Sequence, residues 1–369
     1  MLDRLDPVDT FDPFGLPYPA LERRVLALGG APVHALRWFR ALHRAGVADP
    51  RGVFELGRAL TARLEHAIRP RLPVVEACLR GADGTLKLGL RLTDGVRVES
   101  VLIPDGRRLT LCVSSQAGCA VGCGFCATGR QGLTRNLSAG EIVGQFIAAR
   151  TAWATAPGTA GEAPGGRDPG AAGAGRITNL VFMGMGEPLR NWPAVRAAVE
   201  ILHAPNGHNF SRDKITISTS GILPRLADVV LRARTGLALS LHATRDEERS
   251  RLIPVNRVYP LAEVMAELKR LALHHGGRTM IQYLLLEGEN DSPRHARELW
   301  DWVRDFPCHI NLLQYNPVPG LDYRRPGLET VRRFKTELLA LGARVYHRES
   351  RGGDIAGACG QLAPAARAG

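Results

Sequence analysis

Apolar residues at Leu21, Val25, Leu26 and Leu28, then at Val33, Leu36, Phe39 and Leu42, recur at helical spacing. They predict a small helical unit from Tyr18 to about Ile68. An irregular arm with Pro7, Pro13 and Pro17 precedes it. The period changes to two over Leu86–Leu92 and Val96–Ile103, with Gly81-Ala-Asp-Gly84 and Thr93-Asp-Gly95 as turns. That pattern predicts a β-hairpin or small meander. From Leu109 onward short apolar runs alternate with amphipathic stretches. The runs are Leu109–Val113, Ile177–Met183, Lys214–Ser218, Leu237–Leu241, Met280–Leu286 and Ile310–Gln314. One helix opens at the capping box Ser138-Ala-Gly-Glu141. Others are predicted over Pro193–Leu202, Pro224–Leu231, Leu261–Leu273, Pro293–Arg304 and Leu328–Leu341.

Six strands alternating with helices predict an α/β fold, either a parallel sheet or a partial barrel. In such folds active sites gather at the C-terminal ends of the strands. The division expected is a helical accessory unit at 1–78, a β-hairpin linker at 79–107, a barrel at 108–350 and a C-terminal segment at 351–369. The Gly/Ala/Pro-rich stretch from Ala156 to Gly175 cannot pack a core and reads as a flexible insertion.

Charge changes the picture more than composition does. Lys plus Arg exceed Asp plus Glu by 48 − 36 = 12, and the isoelectric point is near 9.9. Such an excess suits a polyanionic partner, nucleic acid first. Arg37, Arg40 and Arg44 share one helical face, and Arg130, Arg135, Arg212 and Lys214 flank the strand ends, so each could meet phosphate. No run approaches the roughly 18 apolar residues of a membrane span. The start of the chain lacks a secretory pattern. With seven cysteines, four of them between positions 112 and 126, a reducing cytoplasm is the expected setting.

Three cysteines in Cys119-Ala-Val-Gly-Cys123-Gly-Phe-Cys126 follow the first barrel strand. Thiolates on one short loop suit zinc, copper(I) or an iron–sulfur cluster. Structural zinc wants four closed ligands, whereas three without an obvious fourth suggest a cluster that keeps one iron open. Other strand ends carry Gly184-Met-Gly-Glu-Pro188, Ser218-Thr-Ser-Gly221, Ser240-Leu-His242 and Asn316-Pro317. Each alone is a tight turn or a helix cap. Placed together on one rim opposite a cysteine loop, they form a candidate ligand site. Cys78 and Cys308 are expected to be packing thiols, and His274-His275 a helix end.

The C-x₃-C-x₂-C loop resembles the radical S-adenosylmethionine (SAM) signature, and Gly184-Met-Gly-Glu187-Pro resembles the element that contacts the cofactor's amine. A narrower match runs from about Leu21 to Leu362. Cys112-Val-Ser-Ser-Gln-Ala-Gly-Cys119, Phe182-Met-Gly-Met-Gly-Glu-Pro188, Asn311-Leu-Leu-Gln-Tyr-Asn-Pro317 and Arg351-Gly-Gly-Asp-Ile-Ala-Gly-Ala-Cys-Gly-Gln-Leu362 are similar to the RlmN/Cfr family. The insertion at 156–175 and Gly353, where an acidic residue is often found, depart from the family pattern.

The resemblance implies a partial (β/α)6 radical SAM barrel and a [4Fe–4S] cluster on Cys119, Cys123 and Cys126. It implies SAM contacts at Gly186, Glu187, Ser218, Ser240, His242 and Asn316, and at Leu241 through its backbone. It implies that Cys359 accepts a methyl group, that Cys112 resolves a protein–RNA adduct through a disulfide, and that Glu99 accepts the ring proton. The implied substrates are an adenosine in the peptidyl-transferase region of 23S rRNA and one beside the tRNA anticodon. The product is then 2-methyladenosine, made by a monomer with an electron donor such as flavodoxin or ferredoxin. A Cfr-like enzyme acting on carbon 8 shares the same cysteines. A non-catalytic RNA-binding protein with a structural metal would have no use for Cys359 or Cys112.

Overall fold

The computed structural model of the chain describes residues 10–156, 176–276 and 278–363. Twelve strands are formed among them. They are β1 (Val74–Arg80), β2 (Leu86–Arg91), β3 (Arg97–Asp105), β4 (Arg108–Cys112), β5 (Gln116–Gly118), β6 (Leu133–Asn136), β7 (Asn179–Phe182), β8 (Ile215–Thr219), β9 (Gly236–Ser240), β10 (Thr279–Leu285), β11 (His309–Gln314) and β12 (Val345–Arg348). Ten make one open sheet in the order β1-β2-β3-β4-β7-β8-β9-β10-β11-β12. Neighbours are antiparallel from β1 to β4 and parallel from β4 to β12. The remaining pair, β5 and β6, forms a small antiparallel hairpin around the cysteine loop.

The alternation of strand and helix thus becomes a partial barrel, with strands β8, β9 and β10 buried along nearly their whole length as expected of a sheet covered on both faces. Its parallel part has a seventh strand, β12, beyond the six expected. Val345-Tyr-His-Arg348 is short and half polar, so it carries no strand signal of its own; register with β11 makes it one. The expected hairpin at 79–107 is likewise larger. It is a meander fused to the barrel through β4, and β1 is its outer edge with every residue exposed. Cys78 lies on β1 and is exposed, which corrects its assignment as a packing thiol. Cys308, by contrast, packs against the main core.

The helix Ala139–Thr155 starts as expected. Ser138 Oγ accepts from the Glu141 N–H at 3.2 Å, and Glu141 Oε2 accepts from the Ser138 N–H at 2.8 Å. Its first two turns are buried all round, because the sheet covers one side and the N-terminal unit the other. That unit has a separate core built on Phe14, Leu21, Val25, Trp38, Phe39 and Leu64. Arg40 donates to Asn206 Oδ1 at 3.3 Å, and Arg44 to the carbonyls of Pro205 and Gly207 at 2.8 and 3.3 Å. The basic face therefore points partly at the barrel; Arg37 pairs with Glu55. The expected insertion at 156–175 lies, apart from Ala156, outside the described residues. No helix among the described residues is long and apolar enough to cross a membrane.

Candidate active site

The site is assembled on the C-terminal ends of the parallel strands. After β4 the chain stays bound to the β7 end. Ser115 and Gln116 N–H groups donate to the Met185 carbonyl at 2.8 and 3.1 Å, and Ser114 Oγ accepts from the Met185 N–H at 2.9 Å. Gln145 fixes Ser114 from behind, accepting from its N–H at 2.8 Å. Gly186 has φ +100°, and a Cβ there would lie 2.5 Å from Gln116. Only glycine fits. Gln116 also accepts from the Glu187 N–H at 2.8 Å, so the Cys112–Gly118 stretch is scaffold for the Gly-Glu turn.

A cavity of about 150 Å³ opens at this rim. Its lining includes Cys119, Cys123 and Cys126 from the loop and Gly186, Glu187, Ser218, Ser240 and His242 from the strand ends, with Cys359 at one side. Glu187 is buried and already anchored. Its Oε1 accepts from the Leu189 N–H at 3.0 Å, and its Oε2 from the N–H and hydroxyl of Ser220, both at 2.8 Å. Burial still raises its pKa above the ordinary carboxylate value. Ser218 Oγ approaches Ser240 Oγ at 3.5 Å and Gln282 at 3.4 Å. His242, at φ +59°, accepts on Nδ1 from the Leu284 N–H at 3.0 Å, leaving the ring proton on Nε2. Burial, then the Arg249 charge, lowers its pKa to about 3, so the ring is neutral. Phe125, between the last two cysteines, meets it edge-on at 5.2 Å.

A second, smaller cavity of about 50 Å³ lies behind Cys359 and is lined by Cys112, Met183, Asn316, Arg348, Arg351 and the tail. Cys359 borders both cavities. Burial pushes the Cys112 thiol up to about 12, with Cys359 adding to the rise and Arg348 opposing it. All seven cysteines are free thiols.

The tail that carries Cys359 is held along its length. Asp83 Oδ2 accepts from the Gly352 N–H at 2.8 Å, and Asp354 from the Ala82 N–H at 2.9 Å. The Gly360 carbonyl accepts from the Ala127 N–H at 2.8 Å, and the Leu362 carbonyl from Thr128 Oγ1 at 2.5 Å. Glu99 is buried on β3. Its Oε1 pairs with Lys87 Nζ at 3.1 Å, and its Oε2 accepts from the Ala363 N–H at 3.0 Å.

A model of the radical SAM superfamily matches residues 171–299, a span that leaves out the cysteine loop. Similarity to curated proteins runs much further. The chain is 43% identical over 350 residues to a dual-specificity RNA methyltransferase RlmN of Anaeromyxobacter sp. (strain Fw109-5), covering 94% of this chain and 89% of the relative. It is 39% identical over 350 residues to the protein of that name from Pseudomonas putida (strain GB-1), covering 94% and 88%. Among solved structures, a radical SAM methyltransferase from Sphaerobacter thermophilus superposes with a TM-score of 0.85 at 39% identity, covering 95% of this chain and 99% of that one. The chain belongs to the RlmN family of radical SAM methyltransferases.

Enzymes of the RlmN family use a [4Fe–4S] cluster and SAM, and the residues present fit both. The three thiols share one cavity with Glu187 and His242. Among the described residues no three His, Cys, Asp or Glu side chains converge closely enough to hold a single metal ion. A cubane cluster asks for wider spacing, because each thiolate binds a different iron. Burial raises all three thiols, Cys119 to about 12, so they lose protons only as metal arrives.

Two expected cofactor contacts depart from this wall. Leu241 is not in the lining of the larger cavity. Its N–H donates to the Gln282 carbonyl at 3.0 Å, and its carbonyl accepts from Arg249 Nε at 3.1 Å, so both backbone groups are engaged. Asn316 faces the smaller cavity, and its Nδ2 donates to the Cys359 carbonyl at 3.2 Å. Of the basic residues expected at the rim, Arg212 and Lys214 precede β8 and sit at its opposite end. Arg135 is tied to Asp94 and Glu141, and Arg130 to the Gly320 carbonyl.

Arg249 has no sequence signal and is nonetheless central. It is fully buried, and its guanidinium binds the carbonyls of Ser220, Ser240 and Leu241 and Asn256 Oδ1 at 2.7–3.1 Å. Burial lowers its pKa to about 10, with the nearby Cys123 opposing, so it stays a cation beside the cysteine loop. His275 is a buried structural side chain, bonded to Thr279 Oγ1 and the Thr235 carbonyl at 2.9 and 2.6 Å.

Proposed function

We propose that this chain methylates carbon 2 of adenine in RNA, with 23S rRNA and tRNA as substrates, through an S-methyl group on Cys359. The observation that supports this most is the position of Cys359 between the cavity of the cluster thiols and the cavity of Cys112. One thiol can then face a methyl donor on one side and a resolving thiol on the other. RNA is favoured by the +12 charge and by the dual-specificity RNA methyltransferases that the chain resembles over 94% of its length.

Cys119, Cys123 and Cys126 would hold the cluster, and Gly186, Glu187, Ser218, Ser240 and His242 would orient SAM. When bound, these cofactors supply the methyl group and the one-electron chemistry that removes a hydrogen atom from it. The thiolate of Cys359 takes the methyl carbon from sulfonium, and that carbon, after losing hydrogen, bonds to the ring. Glu99 would receive the proton that leaves the ring carbon, and the unpaired electron left on the ring would return to the one-electron centre held by the three loop thiols. The Cys112 thiol, giving up its proton, then attacks Sγ of Cys359, breaking the bond to the new methyl carbon. The electron pair stays on that carbon for protonation, and the two cysteines leave as a disulfide that a reductant reopens. An external one-electron donor of the flavodoxin or ferredoxin kind, a monomeric state and a cytoplasmic setting complete the reading.

Mass spectrometry of nucleosides after incubation of the reconstituted protein with rRNA and tRNA tests it. 2-Methyladenosine is expected, 8-methyladenosine would transfer the chain to the carbon-8 reaction, and no methylated adenosine would overturn the reading.

A further inference from the structure

Among the half-buried arginines most have partners, but Arg348, like Arg150, has no hydrogen bond or ion pair among the described residues. It is the last residue of β12, at the same rim as the other strand ends, and is half-buried. Among the described residues no carboxylate, carbonyl or hydroxyl partners its guanidinium, whereas Arg245 and Arg278 each meet a carboxylate. It lines the smaller cavity beside Ile103, Leu313 and Leu362. Gln314, Asn316 and Ser350 share the lining, and the Arg348 charge reaches the Cys112 thiol; a guanidinium at a cavity mouth with its donors free of the protein is open to an anion. Arg351, at the same opening, makes only a loose approach to Asp105 at 3.9 Å. Glu349, exposed, is the single carboxylate in the lining.

We propose that Arg348, assisted by Arg351, is a phosphodiester-binding site that seats the backbone of the target nucleotide at the mouth of the cavity between Cys112 and Cys359. A planar guanidinium presents paired donors that match two phosphate oxygens. The site rests on the RNA methyltransferase reading and deepens it: the adenine enters the cavity, and its phosphate stays at the rim on Arg348. Such a contact is blind to base identity. At about 50 Å³ the cavity is small beside the roughly 300 Å³ at the low end of ligand sites. The nucleotide therefore displaces the tail wall of Gly357, Ala358 and Leu362 as it enters.

Fluorescence anisotropy with a labelled RNA stem-loop bearing one unpaired adenosine tests this on the full chain, with no cofactor loaded. Arg348→Gln should weaken binding about tenfold at physiological salt and reduce the slope of log affinity against log salt by about one. The loss should be equal for the same stem-loop with uridine in place of the unpaired adenosine. Arg348→Lys should keep the slope, because the charge remains. Thermal melting of each variant reports folding independently. Arg348→Gln that folds and retains both affinity and slope would overturn the proposal while leaving the methyltransferase reading intact. A slope loss confined to the adenosine RNA would overturn it too, since a base contact would then be involved. A wild-type chain that binds no stem-loop would remove the RNA reading and this site together.

Discussion

The Ala363 N–H donates to Glu99 Oε2 at 3.0 Å, four residues beyond Cys359. The candidate base is thereby joined to the segment that carries the candidate methyl acceptor. Lys87 completes the arrangement, pairing with Glu99 Oε1 at 3.1 Å and donating to the Ala356 carbonyl at 3.3 Å. Lys87 and Cys112 both lie directly opposite Val101 across the sheet, and Glu99 is two residues along from Val101 on the same strand. All four therefore share one face. With the tail docked, both oxygens of Glu99 are engaged, Oε1 by Lys87 and Oε2 by the Ala363 N–H.

Both partners of this pair are about nine-tenths buried, so its loss is expected to be felt in stability. Lys87→Met should cost about 3–5 kcal/mol, because Glu99 is left as an uncompensated buried charge. The double variant Lys87→Met, Glu99→Leu should recover most of that, since no charge remains to be compensated. Urea unfolding of the three proteins measures this. A double variant as unstable as the single one would show that packing, not charge, carries the loss.

The two cysteines that border the smaller cavity are expected to fail differently. Cys359→Ala should give no ring methylation, for want of an acceptor. Cys112→Ala should still load Cys359 and then accumulate a covalent protein–RNA adduct, visible as a shifted band on a denaturing gel and as added mass. Purified Cys112→Ala free of RNA, with normal product formation, would remove Cys112 from the resolving step.

Cluster assembly offers a separate check on the cysteine loop. Cys123→Ala should abolish the visible absorption of the anaerobically reconstituted protein, whereas Cys308→Ala should leave it unchanged. Because burial holds the three loop thiols above their ordinary pKa, binding must release protons, and loading should weaken as pH falls. Iron and sulfide content measured across a pH series would reveal a loop that loads equally well in acid.

How much of this could be read from the chain follows from where information is local. The Ser138 capping box, the strand runs and the Gly-Glu-Pro turn are set by neighbours in sequence, and they stand where periodicity puts them. The cysteine loop needs only eight residues to declare itself. β12 and Arg249 are invisible by the same logic. Val345–Arg348 is a strand because β11 offers it a ladder, and Arg249 is buried because carbonyls from two strand ends converge on it. Cys78 departs from the expected packing role because β1 is an edge strand, and nothing in Val74–Arg80 announces that, among the described residues, β2 is its one neighbour in the sheet. Leu241 and Asn316 share a lesson: a motif says which residue stands at a strand end, whereas free backbone groups and the direction of an amide depend on distant partners.

The joint between the N-terminal unit and the barrel is expected to weaken in acid. His43 Nδ1 and His208 Nε2 lie 3.2 Å apart in a setting of Phe14, Phe39 and Phe146. Burial lowers their pKa values from 6.5 to about 3 and about 2, with Arg150 contributing. A base whose folded pKa is depressed gives stability that is complete above pH 6.5 and lost as pH falls toward 3, because the unfolded chain takes up the proton first. Each such histidine steepens the fall by up to about 1.4 kcal/mol per pH unit in that window. Asp12 runs the other way. Burial raises it from 3.8 to about 6, so its contribution is present below pH 3.8 and lost as pH rises through 6. Asp12→Asn should therefore stabilise the protein at pH 7 and change little at pH 3.5. His208→Asn should flatten the acid limb by about one proton while costing about 1 kcal/mol at pH 8, where a neutral hydrogen bond is lost. Urea midpoints from pH 3.5 to 8 separate the two: an acid limb unchanged in His208→Asn would show that the buried pair does not govern the joint.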